Sequence, residues 1–253
     1  MNDIIPLTLA SLFAGCVDAI SGGGGLILVP ALFSVFPTAA PATLFGTNKV
    51  AAVCGTGWAT VQYAKQVRMQ WSSLVPAAAV AMAGSFAGAW TVSLMPATGL
   101  RKALPFVLFV VFLYTLAKKE LGLTHRPRLN GYREIAVASI IGLVIGFYDG
   151  FFGPGTGSFF VFLFVRLLGY DFLNASATAK LLNTSTNLAA IVLFASKGHV
   201  WWSIAAVMAV ANVAGSLLGT FLALKHGSGF VRAVFIAVVG MLILKTGWDG
   251  FLR

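Results

Sequence analysis

Residues 15–115 align on residues 146–246 without a gap, at a constant offset of 131 and with 22 identities in 101 positions. A repeat this long constrains the fold more than any single motif, because both halves must accept one pattern of elements. The identities fall on residues that carry chemistry. Gly15, Asp18, Gly22 and Gly24 return as Gly146, Asp149, Gly153 and Gly155. Thr47 and Lys49 return as Thr178 and Lys180, Arg101 as Arg232, and the pair WS at 71–72 recurs at 202–203. AGSFAG at 83–88 likewise becomes AGSLLG at 214–219.

Each copy is strongly apolar. Hydrophobic residues make up 58% of the chain and charged residues 9%, with a mean hydropathy of +0.91. Soluble domains average about 25% charged residues, so this composition excludes them and points to an all-α polytopic membrane protein. Three apolar spans recur per half, at 46–64, 74–95 and 100–117, then at 177–196, 203–224 and 230–248. Ahead of them, apolar runs at 4–20 and 26–37 flank SGGGG. Four glycines in a row break a helix, and the second run gives only ~18 Å of helix, too short to cross a bilayer alone. The pair forms either two tilted or broken helices or a re-entrant hairpin. Both options make the number of crossings odd, so the second repeat is expected to be inverted, with about 8–10 membrane segments in all. The units are residues 1–117, a linker at 118–133, and residues 134–253.

The net charge of +10 is read as loop lysines and arginines that set orientation, not as a nucleic-acid surface. With the N-terminus outside, ten basic residues fall inside: Lys65, Arg68, the five in the linker, Arg166, Lys225 and Arg232. Arg101, Lys102, Lys197, Lys245 and Arg253 fall outside. Both termini are therefore expected outside. The first apolar run precedes Cys16 but lacks a basic start and continues past that residue, so it reads as a retained membrane segment. Cys16 and Cys54 show no disulfide or metal spacing, and His125, His199 and His226 read as loop residues without ligand spacing. No cofactor, metal or enzymatic signature is expected.

Glycine breaks at matching positions of inverted repeats point to a transporter's central site. Backbone N–H groups freed by the break need partners, and helices starting after Gly25 or Gly157 aim their positive ends at the gap. Kinks or close helix crossings are the plainer use of glycine. Asp18 and Asp149 are costly in apolar sequence. They are candidate proton carriers, or caps for the broken segments. Lys49 and Lys180, three residues into their spans, either neutralise an anion, balance the aspartates or snorkel to the headgroups. Asn48, Asn183, Thr184 and Asn187 supply neutral hydrogen-bonding groups nearby or glue between helices. AGSFAG and AGSLLG read as close-packing faces.

GCVDAISGGGGLILVP, followed some twenty residues later by FGTNKV, resembles the TauE/SafE sulfite exporter family, and the likeness covers essentially the whole chain. The resemblance implies a multi-pass transporter of the bacterial or archaeal inner membrane that exports small sulfur-containing anions, sulfite or sulfonates, by way of two inverted halves. It implies a central anion site at Gly22, Gly23, Gly24, Gly25, Asn48 and Lys49. Their mates, with Gly153, Gly155, Lys180, Asn183 and Asn187 as candidates, are less well matched, because the second half reads GPGTG and ATAK. The expected partners are a small anion and the lipid bilayer, with protons as a coupling candidate. An anion channel, an uptake carrier, a membrane-embedded enzyme and an assembly subunit are the other readings.

Overall fold

The computed structural model describes residues 4–95 and 125–251. The expected span at 100–117, linker residues 118–124, and Arg101, Lys102 and Arg253 of the charge pattern lie outside the described residues. Helices α1 (Ile4–Ser21), α2 (Gly25–Val35), α3 (Pro41–Gln66) and α4 (Trp71–Leu94) form the first half. The second half holds α5 (Tyr132–Phe151), α6 (Thr156–Leu163), α7 (Phe172–Ser196) and α8 (Trp202–Phe251). A π-helical turn, Phe164–Leu168, continues α6. No strand occurs among the described residues. By length and composition Ile4–Ser21, Trp71–Leu94, Tyr132–Phe151 and Trp202–Val234 can cross a membrane, and two shorter apolar helices lie at Gly25–Val35 and Thr156–Leu168. This is a polytopic membrane protein.

The polarity is inside out. The longest polar faces, on α3 and α7, are buried: Thr47, Asn48, Lys49 and Thr56 on one, Ser176, Thr178, Lys180, Asn183 and Asn187 on the other. Trp90, Phe86, Val144, Leu217 and Phe221 are exposed instead. In water such a surface would aggregate; in hydrocarbon it costs nothing.

The glycine-broken segments are re-entrant. Leu7 and Leu44 share one apolar cluster, and the Tyr63 hydroxyl donates to Ala19 O at 2.9 Å, so α1 and α3 run in the same direction. Between them α2 turns back, and Phe36 just beyond it stacks edge-on with Trp201 (4.9 Å), near the start of α3. In the second half Tyr170, past the π-helical turn, donates to Glu134 at the start of α5 (2.5 Å), so α6 also returns to where its hairpin began. Gly46 abuts Phe194 while Thr60 meets Thr184 at 3.0 Å, so α3 and α7, counterparts in the repeat, run antiparallel.

The helices pack across the halves, α1 on α8 and α4 on α5, through the small-residue motifs. A Cβ added at Gly84 or Gly88 would fall 2.5 or 2.0 Å from Leu143 O or Phe147 O. At Gly215 or Gly219 it would fall 1.8 or 2.3 Å from Leu12 O or Cys16 O, the same positions minus 131. Ser85 Oγ donates to Thr186 O and Ser216 Oγ to Gly55 O, each at 2.7 Å and again related by 131 residues. These motifs serve backbone contact, as expected of small residues four apart.

Two expectations are corrected. Lys49 stands eight residues into its helix, not three, because Pro41, with φ preset for a first turn, starts α3 five residues before the apolar span. Lys180 likewise stands eight residues into α7. His226 is helical: α8 continues to Gly227, whose φ of 71° puts a kink immediately after it.

Candidate functional site

The tips of the two hairpins touch. A Cβ at Gly22 would lie 2.2 Å from the carbonyl carbon of Gly157, and one at Gly25 would lie 3.3 Å from Pro154 Cα. Ser158 closes the contact, its backbone N–H donating to Gly22 O (3.1 Å) and its hydroxyl to Ser21 O (3.0 Å). Only glycine permits so close an approach, and Gly22 and its counterpart Gly153 also hold φ of +80° and +91°. Helices α2 and α6 start at these tips, so two positive helix ends converge there.

Four buried charges surround the junction and pair across the halves. Lys49 Nζ lies 2.6 Å from Asp149 Oδ2, and Lys180 Nζ lies 2.8 Å from Asp18 Oδ2. The lysines are 3% and 0% exposed, which overturns snorkelling: the balancing carboxylate is closer than any headgroup. The capping reading keeps little. Asp18 Oδ1 accepts from Gly24 N–H at 3.4 Å, a long contact, and Asp149 has no such contact among the described residues. Each aspartate is held chiefly by the opposite lysine.

A cavity of about 20 Å³ sits at the junction. That is room for about one water, smaller than a sulfite ion. Of the candidate residues, Asp18, Gly22, Gly24, Gly25, Asn48, Lys49, Asp149, Gly153, Asn183 and Asn187 line it. Gly23, Gly155 and Lys180 do not: Gly23 O accepts from Leu26 N–H, Gly155 caps α6 in a left-handed conformation, and Lys180 is turned to Asp18. Asn48 Oδ1 is buried without a hydrogen-bond partner among the described residues. Asn187 Nδ2 is 3.5 Å from Asn183 Oδ1, too long to bind it firmly.

Sequence reasoning missed Asn212, Thr156, Leu28 and Ala52, which line the cavity together with Gly157. Asn212 has alanine (Ala81) as its counterpart, so a search for recurring residues passes over it. The signal was a lone amide in the apolar run 203–224. It donates to Ser11 O at 3.1 Å, and its carbonyl fills the space a side chain at Gly55 would need.

The arrangement is a neutral, buried cluster of two cations and two anions at the meeting point of two helix breaks. An incoming anion can compete with a carboxylate for a lysine, whereas a neutral solute gains no such exchange.

The family described as Sulfite exporter TauE/SafE matches residues 7–246. Among curated proteins, "Probable membrane transporter protein YfcA" of Escherichia coli (strain K12) is 36% identical over 252 residues, covering 97% of this chain and 92% of that protein. "Probable membrane transporter protein ORF9" of Sinorhizobium sp is 34% identical, covering 94% and 90%. A "Probable membrane transporter protein" of Haemophilus influenzae is 32% identical, covering 93% and 91%. No solved structure matches the chain significantly.

Proposed function

For a chain that belongs to the TauE/SafE family of membrane transporters, we propose that it exports a small sulfur-containing anion, sulfite or a sulfonate, by alternating access of two inverted halves. The observation that carries this reading is the pairing of Lys49 with Asp149 and of Lys180 with Asp18 around apposed glycine tips. Each pair joins one half to the other, so a movement of the halves must strain or break a pair. An anion that takes the place of Asp149 on Lys49 lets the tips part and opens room beyond that of one water. The two helix ends and the amides of Asn48, Asn183 and Asn187 then share its charge. Asp149, once displaced, is the group placed to take up a proton, which couples anion movement to pH.

Lys65 is in the last turn of α3 and Arg68 follows it, while Arg126 and Arg128 lie against the π-helical turn that carries Arg166, bonded through Gly169 O (2.9 Å) and Leu168 O (2.9 Å). Met69, Leu129 and Leu168 share one cluster, so these cations gather at one end of the molecule. We place that end in the cytoplasm and both chain ends outside the inner membrane. Labelling of cysteines introduced at Asn2 and Arg253 should be external; protection of both would reverse the orientation.

The test of the function is a thermal-stability screen of the purified protein with sulfite, sulfoacetate, taurine, sulfate, thiosulfate and carboxylates. A ligand at 100 times its Kd stabilises by about 2.7 kcal/mol, a readily measured shift. Sulfite or a sulfonate should stabilise the protein preferentially, Lys49→Ala should remove the shift, and Asp149→Asn should flatten the pH dependence of flux in proteoliposomes. Equal shifts in Lys49→Ala and the unmodified protein would sink the assignment.

A further inference from the structure

A second cavity, of about 370 Å³, lies between the later half of α3 and the part of α8 that precedes its kink, on the outer surface and away from the ion pairs. Its apolar wall is Trp58, Leu217 and Phe221, exposed by 40%, 47% and 59%. Its polar end is Gln66, the last residue of α3, and Lys225. From Trp58 to Gln66, and from Leu217 to Lys225, is eight residues, or ~12 Å of helix. The groove thus runs from hydrocarbon depth to the interface, where the chain also carries Lys65 and Arg68.

Two features distinguish it from an ordinary gap between helices. The hydroxyl of Thr220, in its wall, is buried with no hydrogen-bond partner among the described residues. Lys225 Nζ lies 5.6 Å from the Phe221 ring, and no carboxylate pairs with it among the described residues. The matching position in the other half is built differently. There Gln66 is replaced by Lys197, Phe221 by Trp90 and Leu224 by Ser93. Lys197 Nζ lies 4.5 Å over the Trp90 ring and donates to Ser93 Oγ at 2.7 Å, so that position is filled by the protein's own cation.

We propose that this groove binds one anionic phospholipid, an acyl chain lying against Trp58, Leu217 and Phe221 and the phosphodiester held by Lys225. A cation at the interface attracts a net-negative lipid and gains little from a zwitterionic one, and this choice is independent of the substrate at the central site. The polar end at Gln66 and Lys225 puts the headgroup in one leaflet, that of the Lys65 end.

The experiment is native mass spectrometry and thermal denaturation of the purified full-length protein with phosphatidylglycerol or phosphatidylcholine of identical acyl chains. Phosphatidylglycerol should raise the melting temperature more and leave one retained adduct per chain. Lys225→Gln should weaken phosphatidylglycerol binding about fivefold, to the phosphatidylcholine level, the factor that one lysine near the surface contributes. Lys225→Arg should restore it and Lys197→Gln should leave it unchanged; each variant is checked for an unaltered elution volume. Equal effects of the two lipids on the unmodified protein, or full preference in Lys225→Gln, would overturn the proposal. So would a dimer that Phe221→Ala dissolves, since the groove would then be a contact between copies.

Discussion

The two ion pairs are built from the same residue types at the same offset, yet their surroundings differ. Lys180 is fully buried, donates an aligned hydrogen bond to Asp18, and takes no part in the cavity wall. Lys49 and Asp149 both line the cavity, and although they lie 2.6 Å apart, Asp149 Oδ2 receives no aligned hydrogen bond. Beside Lys49 stands Asn48, with its amide oxygen unpartnered; the counterpart beside Lys180 is Ala179. Duplication supplied two equal pairs. The neighbours make one of them a clasp and leave the other open to exchange.

The largest expected effect tests this division directly. Removing one partner of a buried ion pair strands the other charge, at about 3–5 kcal/mol. Lys180→Ala should suffer that full loss, because Lys180 lies off the cavity wall and its removal breaks an aligned hydrogen bond and leaves a void there. Lys49→Ala should lose less, since water in the adjoining cavity can solvate Asp149. Thermal denaturation in detergent compares them, and the double variant Lys180→Ala/Asp18→Ala should recover part of the loss as a coupling energy. If Lys49→Ala proves as damaging as Lys180→Ala, both pairs are structural and the division fails.

The tips differ in the same sense. At Gly22 a methyl group meets both the +80° φ and the Gly157 backbone at 2.2 Å, which cannot yield without parting the hairpins. At Gly153 the φ of +91° is equally unfavourable, but the nearest atoms are 3.3 Å away and one is the Nζ at the far end of the Lys49 side chain. Strain in φ alone costs about 1–3 kcal/mol. Gly153→Ala should lose about that much, and Gly22→Ala should lose more. Equal melting temperatures for the two variants would show that the tips are not in firm contact.

How much of this could be read in the sequence follows from what repeats. The all-α membrane class, the matched glycine breaks, the buried Asp and Lys, and the packing role of Gly84, Gly88, Gly215 and Gly219 were legible because each recurs at one offset. The partners were not. Nothing in the spacing of Lys49 says that it meets Asp149, a hundred residues away in the other half, since such pairing is set by how the end of α5 meets α3. The re-entrant path was one of two options until Tyr63 was seen to reach Ala19. Asn212 and the open groove beside Lys225 stayed hidden for the opposite reason, since Asn212, Gln66 and Lys225 are not matched at the repeat offset.

The smallest expected effect comes from such an unrepeated feature. Tyr148 donates its hydroxyl to Pro154 O at 2.5 Å, tying the second tip to α5. Its counterpart in the first half is Val17 and that of Pro154 is Gly23, so the first tip lacks this tie and its turn relies on glycine alone. Tyr148→Phe keeps the ring packed edge-on against Phe159 and removes one hydrogen bond, at about 1 kcal/mol. Because Pro154 faces Gly25 across the junction, the freed tip should exchange backbone hydrogens faster at residues 153–157, while residues 22–26 stay as protected as before. Faster exchange at both tips would mean that they move as one body, and the second half would then hold no separate anchor.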